Sequence, residues 1–270
     1  MSNDREYVLG QSERAARRLE LQDRHFAAAS EALLDALELE PTDRAAELGC
    51  GPGGLTQRLA RRVPAGSVVA VDASESLLAQ ARAALAGAPN VRFVRADVAH
   101  LGDWLDGADV VLGRAILHHV PMAEFALGRL KAKLAPGTRV GFLEPDFRRP
   151  LVELARAAEA RPQLAPLLTF ARCINDLYAA WRISPAVGAT LAGALADAGF
   201  AAVRAEWHPF ATDADVLENM GLIYDEVRDT CAALGIISAA DQDEQKRLLA
   251  ALVPGDLPAV WGLHRVTARA

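Results

Sequence analysis

Residues 46–59 read AELGCGPGGLTQRL, with four glycines and a proline crowded into positions 49–54 directly after a short apolar run. So much glycine lets the chain turn sharply, and the turn falls between a segment patterned as a strand and one patterned as a helix. Leu55, Leu59 and Val63 recur at i, i+4 and i+8, with Gln57, Arg58, Arg61 and Arg62 on the other side, as in a helix laid on a sheet. Such a junction is the ligand edge of an open parallel sheet, where backbone N–H groups and a helix N-terminus converge. Gly49, Gly51 and Gly54 satisfy G-x-G-x-x-G, a match that alone suits a dinucleotide as well as other ligands.

Outward from this loop, the chain alternates strand-length and helix-length segments between residues 42 and 144. SVVAVD (67–72), VRFVRAD (91–97), ADVVLGR (108–114) and TRVGFLE (138–144) each follow a turn signal, and DRAAEL (43–48) is a fifth, less β-branched run. Residues 74–85 and 122–134 carry helical spacing between them. The alternation predicts an α/β fold with a parallel sheet covered by helices. With 270 residues, 51% apolar and 24% charged, the chain can bury one large core with insertions. No apolar run approaches the roughly 18 residues of a membrane span, and the first residues are charged, which predicts a cytoplasmic protein with no membrane partner. A net charge of −6 argues against a nucleic-acid partner and for a small-molecule one. Cys50, Cys173 and Cys231 are too few and scattered for a disulfide framework or a zinc site, so three reduced thiols and no metal are expected.

Three carboxylates sharpen the reading of the loop. Glu47 lies two residues before the first glycine, Asp72 closes the second strand and Asp97 the third, all at one predicted sheet edge. Asp72 suits the hydroxyls of a ribose in either kind of nucleotide ligand. Glu47 discriminates, because a carboxylate there repels a pyrophosphate and favours a ligand carrying ammonium and sulfonium charge.

The ordered runs AAELGCGPGG, VVAVDAS, VRFVRADVAHL, DVVLGRAILHHV and LKAKLAPGTRVGFLEPD resemble the motif set of class I S-adenosylmethionine-dependent methyltransferases, nearest the small-molecule branch of quinone and natural-product enzymes. The resemblance is strong over residues 40–146. It implies a doubly wound, Rossmann-like, seven-stranded sheet, mostly parallel, with later strands near AAVRAEWHPF and AVWGLHRVTARA, the last antiparallel. It also implies secondary metabolism and S-adenosylmethionine as cofactor. By position, Glu47 would lie at the methionine amino end, and Gly49, Cys50, Gly51 and Gly53 would let backbone approach the ligand. Asp72 would hold the ribose, Ala73 would flank the adenine, Asp97 and Val98 would read its edge, and Arg114 and Ala115 would line the methionine end.

In-line methyl transfer depends largely on positioning and exclusion of water, and needs a base only when the nucleophile arrives protonated. Candidate catalytic groups are His118, His119, Glu144 and Asp146, with His208 a further group near a strand end, assigned to the substrate. The expected organisation is an N-terminal helical cover (1–40), a donor-binding core (41–146), a helical lid (147–183) and a C-terminal part (184–270) with a second helical insertion at about 212–252. Tyr178 and Trp181, three apart in the lid, suggest an aromatic or polyketide-like acceptor, and Tyr7, Arg18 and Gln22 of the N-terminal segment are placed to reach the ligands. The bland alternatives are that the rings pack the lid and that Arg18 is solvated. A helix pair in the second insertion is also a candidate homodimer contact. A short-chain dehydrogenase is disfavoured because its Tyr-x-x-x-Lys pair is replaced by Tyr178-x-x-x-Arg182 or Tyr224-x-x-x-Arg228, and guanidinium does not deprotonate usefully. The remaining rivals are a non-methylating cyclase-type enzyme and a regulatory module, both binding S-adenosylmethionine by the same motifs.

Overall fold

A computed structural model describes residues 13–120 and 122–270. In chain order the elements are α1 (Glu13–His25), α2 (Ala27–Ala36), β1 (Arg44–Leu48), α3 (Gly54–Arg62), β2 (Ser67–Asp72), α4 (Glu75–Ala84), β3 (Val91–Arg95), β4 (Val110–Arg114), α5 (Ala123–Lys133), β5 (Arg139–Pro145), α6 (Arg148–Ala160), α7 (Ala165–Ala180), α8 (Val187–Asp197), β6 (Ala201–Phe210), α9 (Ala214–Ala233), α10 (Ala239–Ala250) and β7 (Trp261–Arg269). They fall into two compact units. A sheet unit comprises Ala27–Pro145, Val187–His208 and Leu263–Ala270, and a helical unit comprises residues 13–26, Asp146–Ala186 and Pro209–Gly262.

In the sheet unit the seven strands run in the order β3-β2-β1-β4-β5-β7-β6. β1 pairs in parallel with both β2 and β4, β2 with β3 and β4 with β5, while β7 is antiparallel to β5. The central strands are buried on both sides, as Val110, Val111, Leu112, Val140, Phe142 and Leu143 show, which explains their continuous apolar runs. Leu127 and Leu130 of α5 and Leu191 and Leu195 of α8 complete that core. Strand order reverses between β1 and β4, so the crevice of a doubly wound sheet opens beside the C-terminal ends of those two strands. Register sets what stands there. Leu48 pairs with Val71 and Gly113, Asp72 with Arg95 and Arg114 with Leu143, so the residues just past Leu48, Val71 and Gly113 emerge side by side.

β3 stops at Arg95, two residues before the expected end. Asp97 turns its own loop instead, Oδ1 accepting from the Ala99 N–H at 2.8 Å, and such a bond competes with continuation of a ladder.

The helical unit is organised around α7 and α9. Leu167, Phe170, Ala171, Ile174, Leu177 and Tyr178 of α7 are buried with Val216, Met220, Tyr224 and Val227 of α9, spacings that keep one stripe inward. Pro162 lies in the break after α6 and Pro166 in the first turn of α7, where a missing N–H costs no helical bond. α1 lies against α9 through Arg17–Glu218, Arg24–Asp215 and Arg18–Glu226 ion pairs. Arg18 corrects the solvated expectation. Its side chain is only 1% exposed, Nε lies 2.8 Å from Glu226, and a second guanidinium nitrogen donates to Gln22 Oε1. Periodicity shows a charged stripe but not the buried carboxylate it meets, which lies far along the chain.

Candidate active site

The glycine loop leaves β1 and is held by three backbone donors of its own. Cys50 N–H donates to the Val71 carbonyl, Gly53 N–H to the Cys50 carbonyl, and Gly51 N–H to Asp72 Oδ2 at 2.9 Å. Pro52 has no N–H. These three loop donors are therefore engaged within the protein, and a carboxylate already stands against the loop. Three glycines serve three purposes. Gly49 has φ +67°, and a Cβ there would lie 2.5 Å from Ile116 Cδ1; Gly53 has φ +93° and packs on Leu85 and Ala81; Gly51 has φ +52° and faces open space. Gly51 is where the backbone admits close approach.

Asp72 ends β2 in a half-buried position. Its Oδ1 accepts from Ser74 N–H at 2.8 Å and Oδ2 from Gly51 N–H, which leaves lone-pair capacity for ligand hydroxyls. Burial raises its pKa from the ordinary value, against the opposing backbone bonds from Ser74, Gly51 and Ala73. Glu47, 2% exposed in β1, accepts from Thr56 Oγ1 at 2.6 Å. The Cys50 thiol is pushed far up by burial and then by the charges of Glu47 and Asp72, so it stays protonated. The loop thus sits in a negative field, which suits a cationic ligand. Ala73 is exposed, and its carbonyl accepts from Arg95 Nε. Asp97 is exposed and Val98 half-buried in the loop that follows β3.

After β4 the chain makes a strained turn. Ala115 has φ +52°, a conformation costly for any residue with a Cβ, and its N–H reaches the Leu143 carbonyl. Arg114 donates to Ser30 Oγ on α2. Glu144, wholly buried at the end of β5, locks the turn. Its Oε1 accepts from Ile116 N–H at 2.9 Å and Leu117 N–H at 2.8 Å, and its Oε2 accepts from His118 N–H at 3.3 Å and meets His118 Nδ1 at 2.8 Å. An acceptor-only carboxylate puts a proton on Nδ1, and in the neutral ring the lone pair is then on Nε2. His119 is half-buried, its ring centroid 3.9 Å from that of His118. Nothing in the spacing of 116–119 announced this anchor, and an apolar strand ending in Glu was the only signal.

The other candidates lie elsewhere. His208 is on β6, with Nε2 3.8 Å from Glu206, and burial followed by the Arg265 charge lowers its pKa. In the helical unit, Asp146 Oδ1 caps α6 by accepting from Arg148 and Arg149 N–H. Tyr178 is buried against Phe147, centroids 4.9 Å apart, and Trp181 sits 6.1 Å from Tyr178 at the end of α7. Tyr7 lies outside the described residues. Among the described residues no group of three or more His, Cys, Asp or Glu side chains is placed to hold a metal, and no helix is long and apolar enough to cross a membrane.

Residues 45–137 match the family model described as a methyltransferase domain. Over 129 residues the chain is 40% identical to trans-aconitate 2-methyltransferase of Variovorax paradoxus, covering 47% of this chain and 49% of that one. Over 140 residues it is 35% identical to the protein of the same name from Methylobacterium nodulans, covering 52% and 53%. The chain thus spans about half the length of these curated relatives. A cyclopropane synthase from Mycobacterium tuberculosis shares the fold, with a TM-score of 0.57 at 15% identity over 90% of this chain and 84% of that one. Residues 45–137, which carry β1 to β4, thus match a methyltransferase domain, and they lie in a seven-stranded sheet of the order β3-β2-β1-β4-β5-β7-β6.

Proposed function

We propose that this protein moves a methyl group from S-adenosylmethionine to an oxygen, carbon or nitrogen of a small, fairly apolar metabolite. The observation that carries the reading is the charge at the glycine loop: the N–H groups of Cys50, Gly51 and Gly53 bond within the protein, and the carboxylate of Asp72 stands against Gly51 beside a buried Glu47. A pyrophosphate would meet two carboxylates, whereas a sulfonium and an ammonium meet favourable charge. When bound, S-adenosylmethionine supplies a methyl group made electrophilic by its sulfonium. Asp72 accepts from the ribose hydroxyls, Gly51 admits the ligand to the backbone, and Glu47 lends its charge at the methionine end. Ala73, Asp97 and Val98 border the adenine. Where the acceptor arrives protonated, His118 takes the proton at Nε2 while Glu144 holds Nδ1–H and stabilises the imidazolium, a positioning role. The apolar acceptor and a role in secondary metabolism rest on the resemblance to small-molecule enzymes, because Tyr178 packs on Phe147 within the helical unit.

Calorimetry with S-adenosylmethionine, S-adenosylhomocysteine and NADH, followed by assay of S-adenosylhomocysteine release over phenols, amines, enolates and trans-aconitate, tests this. Binding of the first two ligands, with product formed on an apolar acceptor, is the expected result. Turnover of trans-aconitate alone would replace the apolar acceptor by the triacid of the curated relatives. Donor binding without product across the panel would make the protein a non-methylating binder, and binding of NADH alone would overturn the assignment.

A further inference from the structure

The helical unit contains two of the three cysteines, and the fold brings them together. Cys173 on α7 and Cys231 on α9 are 58 residues apart in sequence, yet their Sγ atoms lie 3.7 Å apart, in hydrogen-bond contact. Both are free thiols, exposed by no more than 3%, in the cluster formed by Phe170, Tyr224 and their neighbours. Cysteine packs well as a small hydrophobe, so burial alone would call for no chemistry. Juxtaposition is different, because a thiol aimed at a second thiol is the geometry from which a disulfide closes.

We infer that Cys173 and Cys231 form an oxidation site, a buried dithiol that a hydroperoxide converts reversibly to a disulfide joining α7 to α9. The sulfurs need to approach from 3.7 Å to roughly 2.0 Å. Either sulfur can donate in this contact; with Cys173 as donor, the bond lowers the Cys231 thiol and raises that of Cys173. In that arrangement Cys231 is the attacking sulfur. Its thiolate displaces hydroxide from hydrogen peroxide, breaking the O–O bond and leaving a sulfenic acid. Cys173 then attacks that sulfur, the S–O bond breaks and water leaves. In sum, two thiols and one hydrogen peroxide give one disulfide and two waters, with two electrons passing from sulfur to peroxide. Cys50, in the sheet unit and held protonated by burial and two carboxylates, is the internal control. The inference does not depend on methyl transfer.

The test uses the full chain treated with hydrogen peroxide, followed by intact mass measurement and non-reducing peptide mapping. Expected is a mass lower by two hydrogens, restored by dithiothreitol, with the peptides of α7 and α9 joined and Cys50 unmodified. In Cys173→Ser the disulfide is lost and dimedone traps a sulfenic acid at Cys231. The inference is overturned by oxygen added at either cysteine without a cross-link, or by a cross-link to Cys50 or between chains. It is equally overturned if three thiols remain countable after peroxide has fully oxidised a small-molecule thiol in the same tube. Because mapping is done on the unaltered protein, a variant that fails to fold does not decide the matter.

Discussion

Removing the Glu144 carboxylate should separate stability from chemistry in a way that the turn after β4 makes calculable. In Glu144→Ala, three backbone N–H groups and the His118 ring N–H lose their acceptor in a site with no exposure. Each unsatisfied buried donor costs about 1–3 kcal/mol, and water entering the vacated space and relaxation of the turn make the total less than the sum. A loss of roughly 3–5 kcal/mol in urea denaturation is expected, a large part of the 5–15 kcal/mol typical of a domain. Glu144→Gln keeps the shape. Its amide oxygen can still accept from Ile116 and Leu117 N–H, but its NH2 then faces His118, and the ring can meet it only by moving its proton from Nδ1 to Nε2. The acceptor of the His118 backbone N–H and the charge-assisted part of the other bonds are lost, about 2–4 kcal/mol, while the lone pair needed on Nε2 disappears. The Gln variant should therefore fold, bind donor and show the switched imidazole tautomer by nitrogen NMR, with turnover falling on an acceptor that must lose a proton. A Gln variant with unchanged tautomer and full turnover, or an Ala variant costing under about 1 kcal/mol, would refute the anchoring role.

Asp72→Ala should weaken S-adenosylmethionine binding in calorimetry by about 1.5–3 kcal/mol, the contribution of hydrogen bonds to a charged group, and unchanged affinity would undo the ribose assignment. Because burial raises the Asp72 pKa, the folded chain keeps that proton to higher pH than the unfolded chain. Its contribution is full below the unfolded value and is lost as pH rises through the folded one, so Asp72→Asn should gain relative to the parent protein in urea midpoints taken upward from about pH 4. Gly51→Ala meets no atom and should cost only the roughly 1–2 kcal/mol of a left-handed residue, whereas Gly49→Ala should cost about 1–3 kcal/mol more. The difference arises because Ile116, which its Cβ would strike, is tied by its N–H to Glu144. Arg18→Ala leaves Glu226 buried without its cation and should cost roughly 3–5 kcal/mol by thermal or urea unfolding; a loss near zero would place the pair in solvent.

Local pattern carried the sheet a long way. β2 occupies 67–72 as the β-branched run requires, α4 and α5 lie within one residue of the expected segments, and the glycine loop stands where strand gives way to helix. These features are written in neighbouring residues: alternation, turn signals and the freedom of glycine at positive φ. Glu47, Asp72 and the loop could be named together because a parallel sheet carries all strand ends to one edge.

What depends on distant parts of the chain meeting was decided by the tertiary structure alone. Residues 13–26 join the insertions at 146–186 and 209–262 in one helical unit, although nothing local links them. Arg18 is buried because Glu226 meets it across α1 and α9, and Cys173 finds Cys231 across α7 and α9. Glu144 read as a candidate base and is found holding three backbone N–H groups and an imidazole, all 26 to 28 residues earlier in the chain. By itself, then, the sequence determined the α/β class, the strand and helix segments of the core and the glycine–carboxylate edge, since periodicity and turn chemistry act over a few residues. Burial of charge, pairing of thiols and orientation of an imidazole follow from packing between remote segments, and only the tertiary structure decided them.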